Sequence, residues 1–129
     1  MKKINNEEAL HPYNRWRFGK TDNACIDIDS VEIKNDKVVA IIETTSFREK
    51  RAIDRSLRAV YKRIGFQLKI QMDIAEKLDV PLFLVIHSDD FSYFLVMHIV
   101  KGKDFLIVNT KIECNEDEYI DFLNNLDRF

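Results

Sequence analysis

The succession that most restricts this chain is a β-branched run at 38–45 (VVAIIETT), a helical apolar stripe, and the unbroken apolar run PLFLVIH at 81–87. The stripe comprises Ile53, Leu57, Val60, Tyr61, Ile64, Leu68, Met72, Ala75 and Leu78, which step by three or four and so line one helix face. Asp79-Val80-Pro81 ends it, giving an expected helix over 54–78. A run that is apolar on both faces suits a central strand. A strand, a long helix and a second strand in one sheet imply parallel strands joined by a right-handed crossover. The expected class is α/β, a mixed β-sheet with flanking helices.

Local signals fill in the remainder. Residues 26–33 alternate in polarity, and the polar stretch Lys34-Asn35-Asp36-Lys37 separates them from 38–45, so the two runs read as a β-hairpin. Ser46-Phe47-Arg48-Glu49 matches a capping box ahead of the long helix. Ser88-Asp89-Asp90 reads as a turn into a strand at 91–100, and 105–108 as a short edge strand. Asn115-x-x-Glu118 caps a terminal helix with an apolar face of Tyr119, Ile120, Leu123 and Leu126. One short helix is expected before the hairpin, near 6–10 or 13–18.

A length of 129 residues fits one domain over 1–129. With 46% hydrophobic and 33% charged residues but only three Gly and two Pro, the chain can bury a core and does not have a disordered composition. No apolar run approaches the roughly 20 residues that cross a bilayer, and no apolar segment follows the basic start, so a cytoplasmic protein without membrane contact is expected. Cys25 and Cys114 lack metal-ligand spacing and read as free thiols. His11, His87 and His98 lack it too and read as structural or surface residues.

The net charge is −2, yet its distribution is uneven. Between Arg48 and Lys69 lie Arg48, Lys50, Arg51, Arg55, Arg58, Lys62, Arg63 and Lys69 against Glu49 and Asp54, whereas the tail from Asp104 is predominantly acidic. A basic stripe steers polyanions through local potential; its other reading is a solvated helix face.

Acidic residues in the hairpin are the candidate chemistry. By alternation Cys25, Asp27, Asp29 and Val31 share one face, as do Val39, Ile41, Glu43 and Thr45. A turn centred on Asn35-Asp36 then brings Asp29 close to Glu43. Two approaching carboxylates repel unless a cation lies between them. Mg²⁺, which takes a few carboxylates and completes its shell with water and phosphate, suits such a pair; the other reading is a face of ordinary strand acids.

Asp29, then Ile42-Glu43-Thr44-Thr45 at the end of an apolar strand, a basic helix carrying Gln67, and PLFLVIH together resemble the core of the PD-(D/E)XK nuclease superfamily. Tyr13-x-x-Trp16 and Asp27-Ile-Asp29-x-Val31-Glu32 are similar to its small, Holliday-junction-resolvase-like members. The resemblance covers about residues 16–100. It implies a restriction-endonuclease-like α-β-β-β-α-β core, Asp29 and Glu43 as ligands of Mg²⁺ or Mn²⁺, the Thr44 carbonyl as a third ligand, and DNA as substrate. Ile28 stands at the Pro position and Thr45 at that of the catalytic Lys. Losing such a preorganised donor costs roughly 10²–10³ in rate. Candidate replacements are Lys34, Lys37, Lys62 and Lys69.

Rise per residue brings a helix amide level with Glu43. Glu43 lies about 17 Å along the strand from Val38, and Gln67 about 17 Å back from Leu78. Gln67 borders the apolar stripe and Gln71 falls within it, so either can face the acids. The expected catalytic set is Asp29, Glu43, Thr45 and Gln67, with phosphate contacts from Arg48, Lys50, Arg51, Arg55, Arg58 and Lys62. Three functions fit: a Mg²⁺-dependent DNA endonuclease, a non-catalytic nucleic-acid-binding or assembly module on the same scaffold, and a protein-interaction domain. A homodimer suits a small domain that acts on two strands.

Overall fold

The computed structural model describes residues 28–47 and 53–129, with side chains from 65 onward in the helix that begins at 53, and Pro12, Trp16 and Lys20 ahead of them. Asp27, Cys25, Tyr13 and the stretch Arg48, Glu49, Lys50 and Arg51 lie outside the described residues.

The elements run β1 (Ser30–Lys34), β2 (Lys37–Phe47), α1 (Ile53–Leu78), β3 (Leu82–Ser88), β4 (Phe94–Lys101), β5 (Leu106–Cys114), α2 (Glu116–Asn124) and a 3₁₀ turn, Leu126–Arg128. They form a mixed α/β architecture with one five-stranded sheet in the order β1-β2-β3-β4-β5. Only the β2–β3 pair is parallel, as a crossover through α1 requires. Among the described residues no helix is long and apolar enough to cross a membrane.

The two faces of the sheet bury separate clusters. On the α1 face Ile41, Leu82, Leu84, Ile86, Leu95, Met97 and Ile99 pack against Leu68, Met72 and Ala75 of the helix. On the α2 face Ala40, Ile42, Phe83, Val85, Phe94 and Val96 pack against Leu126, Tyr119, Phe122 and Leu123. Apolar residues at successive positions of β3 therefore each find a core, the physical reason PLFLVIH is unbroken.

Asn35 and Asp36 both adopt positive φ, 53° and 64°, in a two-residue hairpin loop pairing Lys34 with Lys37. Both residue types tolerate that region, and the resulting turn matches strand twist. Past the loop the register shifts: Ile33 faces Val38 but Glu32 faces Ala40, leaving Val39 as the extra residue of a β-bulge.

Three expectations need correction. Ser46 and Phe47 do not open a helix; they continue β2, because Phe47 is buried against the α1-face core and meets Tyr93 edge-on at 5.8 Å. The edge strand expected over 105–108 runs for nine residues as β5, tied throughout to β4. The terminal helix carries the expected capping box at Asn115 and Glu118, but Phe122 takes the packing place assigned to Ile120, which is 49% exposed. Positions 119, 122, 123 and 126 are the ones spaced to form a single stripe over the sheet. Cys114 is buried as a free thiol, and burial pushes its pKa up.

Candidate functional site

Glu43 sits in the middle of β2 on the α1 face and is 5% exposed. Its partner across the layer is the fully buried Gln71, whose Nε2 donates to Glu43 Oε2. The helix amide in contact with the acid is thus one turn along from Gln67, which is half-buried. Among the described residues Gln71 Oε1 is buried without a hydrogen-bond partner, leaving an oxygen acceptor beside the carboxylate.

Asp29 reaches the same part of β2 by a different route. A hairpin closed by Asn35-Asp36 without a bulge would set residue 29 opposite Ile42. The extra Val39 moves the register by one, so that Ser30 faces Ile42 and the ladder, extended one residue back from β1, would set residue 29 opposite Glu43. Asp29 lies in a bend just ahead of β1, and Ile28 before it packs against the α1-face cluster. Strict alternation from Ser30 would send Ile28 to the other face, so the alternating pattern stops at Asp29. Asp29 Oδ2 accepts from the Thr44 amide at 2.9 Å and from Thr44 Oγ1 at 3.1 Å. The exposed carboxylate therefore takes the β2 amide that lies beyond the end of β1. In an extended strand a residue's N–H and C=O point to the same edge, which directs the Thr44 carbonyl towards the Asp29 side of β2.

The oxygen groups along this part of β2 are the exposed Asp29 carboxylate on the Thr44 amide, the Thr44 carbonyl, and, in the α1-face layer, Glu43 with Gln71 Oε1. Hard oxygen donors with few carboxylates fit Mg²⁺ or Mn²⁺, which complete their shells with water and phosphate. Among the described residues no group of three or more His, Cys, Asp or Glu side chains could hold an ion. A cation here would depend on this pair and those additional oxygens.

Thr45 is half-buried, follows Glu43 by two and shares its face; it pairs with Ile86 of β3. The lysines that could replace a cation there have other positions. Lys34 donates to the Asn124 carbonyl at 2.8 Å and to Asp127 at 3.0 Å, pinning the C-terminal segment. Lys37 lies at the far end of β2, about 20 Å from Glu43 by strand rise. Lys69 lines an apolar cavity of about 670 Å³ between Phe66 and Leu68 of α1 and Phe105 to Val108 at the start of β5. Lys62 lies in α1, as do Arg55 and Arg58. The cavity holds no carboxylate and is separate from the acidic edge.

Other polar clusters serve the scaffold. Asp90 accepts from the Ser88 and Ser92 hydroxyls and the Ser92 amide, closing the β3–β4 turn, and these bonds lower its pKa. His87 stacks on Phe91 at 4.8 Å, while His98, its pKa lowered by burial, touches Asn109 and the Phe129 ring. Sequence reasoning kept Gln71 as an alternative to Gln67; its place inside the apolar stripe was the signal that it points at the sheet. No protein-family model, curated protein or solved structure matches the chain.

Proposed function

We propose that this chain is a DNA-acting protein on a restriction-endonuclease-like scaffold, with Asp29 and Glu43 as the acids of a Mg²⁺- or Mn²⁺-dependent phosphodiesterase. The observations that carry the reading are that Asp29 bonds the Thr44 backbone amide, and that its chain neighbour Glu43 is a buried carboxylate held by Gln71. A buried carboxylate is retained in an apolar layer at a cost, which makes a role at the site more economical than a packing role. The order of hairpin, crossover α1 and parallel β3 supports this reading, being compatible with the last four elements of an α-β-β-β-α-β core.

In this reading Asp29 and Glu43 hold the ion with help from the Thr44 carbonyl. When bound, the ion supplies an activated water and charge stabilisation for phosphodiester hydrolysis. Gln71 keeps the Glu43 carboxylate in one orientation from the helix side. Arg55, Arg58 and Lys62, with Arg48, Lys50 and Arg51 just before α1, neutralise backbone phosphates, a contact that positions DNA without reading its sequence.

Thr45 favours a second reading. With no charge at the position of the family's Lys, the same scaffold serves as a non-catalytic DNA-binding or assembly module. The deciding experiment incubates duplex, branched and single-stranded DNA with the protein in Mg²⁺ or Mn²⁺. Cleavage that Glu43→Gln abolishes supports the enzyme. Salt-dependent binding without cleavage supports the module, and absence of both rejects nucleic acid as the partner.

A further inference from the structure

We infer that the outer edge of β5 is a self-association surface on which a second copy of this chain adds its own β5 in antiparallel register centred on Ile112. The inference rests on strand geometry and charge and does not depend on the acidic site. β5 ends the sheet among the described residues and is nine residues long. A long edge strand offers a row of open backbone groups, and a matching strand satisfies them.

The register follows from a bulge. His98 faces Thr110 but Ile99 faces Val108, so Asn109 is an extra residue and the uninterrupted end of the strand is Thr110 to Cys114. A two-fold axis through the middle of that stretch passes at Ile112. Antiparallel pairing about Ile112 sets Lys111 opposite Glu113 of the partner subunit and, by symmetry, Glu113 opposite Lys111 of the partner subunit. Lys111 and Glu113 face Met97 and Leu95 of β4, so both lie on the α1 face, and both are exposed. The strand is charge-complementary to itself in this register, with two opposite-charge cross-strand pairs. An exposed Lys alone would protect an edge from pairing; Glu113 two residues on reverses that effect for one partner, an identical strand.

The apolar contact agrees. Ile112 faces Val96 on the α2 face and is 59% exposed, as α2 packs its rings over Phe94 and Phe83. At the axis the two Ile112 side chains cover each other.

Charge swapping tests this directly, with the mass in solution read by sedimentation or light scattering over a dilution series. The wild type should dimerise. Lys111→Glu and Glu113→Lys should each weaken the dimer on the order of tenfold or more, since each turns both attractive pairs into repulsive ones. The combined Lys111→Glu, Glu113→Lys protein should recover the wild-type affinity. A wild type that stays monomeric, a dimer that either single reversal leaves unchanged, or a double variant that fails to recover would each overturn the inference.

Discussion

Gln71 donates its side-chain amide to Glu43 from the C-terminal half of α1, and both side chains are buried. Among the described residues these two are the buried polar or charged side chains. Replacing Gln71 by Leu removes that donor from a carboxylate in an apolar setting. The expected loss is about 1–3 kcal/mol in urea denaturation. Gln71→Glu should be the more informative variant, since it places a second carboxyl against the first and raises the pair's protonation range. Its stability should be nearest to wild type at acid pH and fall as pH rises above about 4.3, where the unfolded carboxyl ionises. A pH-independent deficit would contradict the contact.

Thr45 separates enzyme from binding module. If a cation is all that the site lacks, Thr45→Lys should raise metal-dependent DNA cleavage by a factor on the order of 10² or more. Glu43→Gln in the same background should return cleavage to zero. If Thr45→Lys folds, binds DNA and cuts nothing in Mg²⁺ or Mn²⁺, the binding module stands.

Reversing Arg55, Arg58 and Lys62 to Glu should weaken binding to duplex, branched and single-stranded DNA by similar factors and flatten the salt dependence, because phosphate contacts carry little sequence information. Unchanged affinity on all three would remove α1 from the interface.

Tyr119, stacked on Phe94 at 4.1 Å, has its pKa pushed up to about 12, chiefly by burial and secondarily by Glu32. An unfolded tyrosine ionises near 10, so the neutral folded form is favoured below that pH and its advantage is lost between about 10 and 12. Stability should therefore fall over that window, and Tyr119→Phe should reduce the slope. Tyr93, raised to about 12 by burial and then by Glu113, contributes in the same direction. Denaturation midpoints at pH 9 and 11 for the wild type and both Phe variants test the assignment.

The turn offers a stability check. Asp36 holds a φ of 64°, where glycine is unstrained, so Asp36→Gly should stabilise the hairpin by about 0.5 kcal/mol or leave it unchanged. A marked loss would mean that the Asp36 side chain does more than occupy the turn.

What the amino-acid order determined was local: the long stripe of α1, the two-residue turn at Asn35-Asp36, the capping box at Asn115 and Glu118, and the unbroken run of β3 are all patterns complete within a short stretch of sequence. Periodicity, caps and turn conformation are properties of such short stretches. Tertiary packing decided the rest. No residue type announces Val39 as a bulge; alternation breaks there because the neighbours Val39 and Ala40 both pack on the α2-face cluster, and the shift brings the Asp29 end of β1 alongside Glu43. Phe47 stays in β2 because a buried ring outweighs a capping pattern, and Gln71 rather than Gln67 meets the acid because helix rotation is set by which stripe seals against the sheet. The length of β5 came from eight pairings with β4, contacts between residues too far apart in the chain for a local pattern to report.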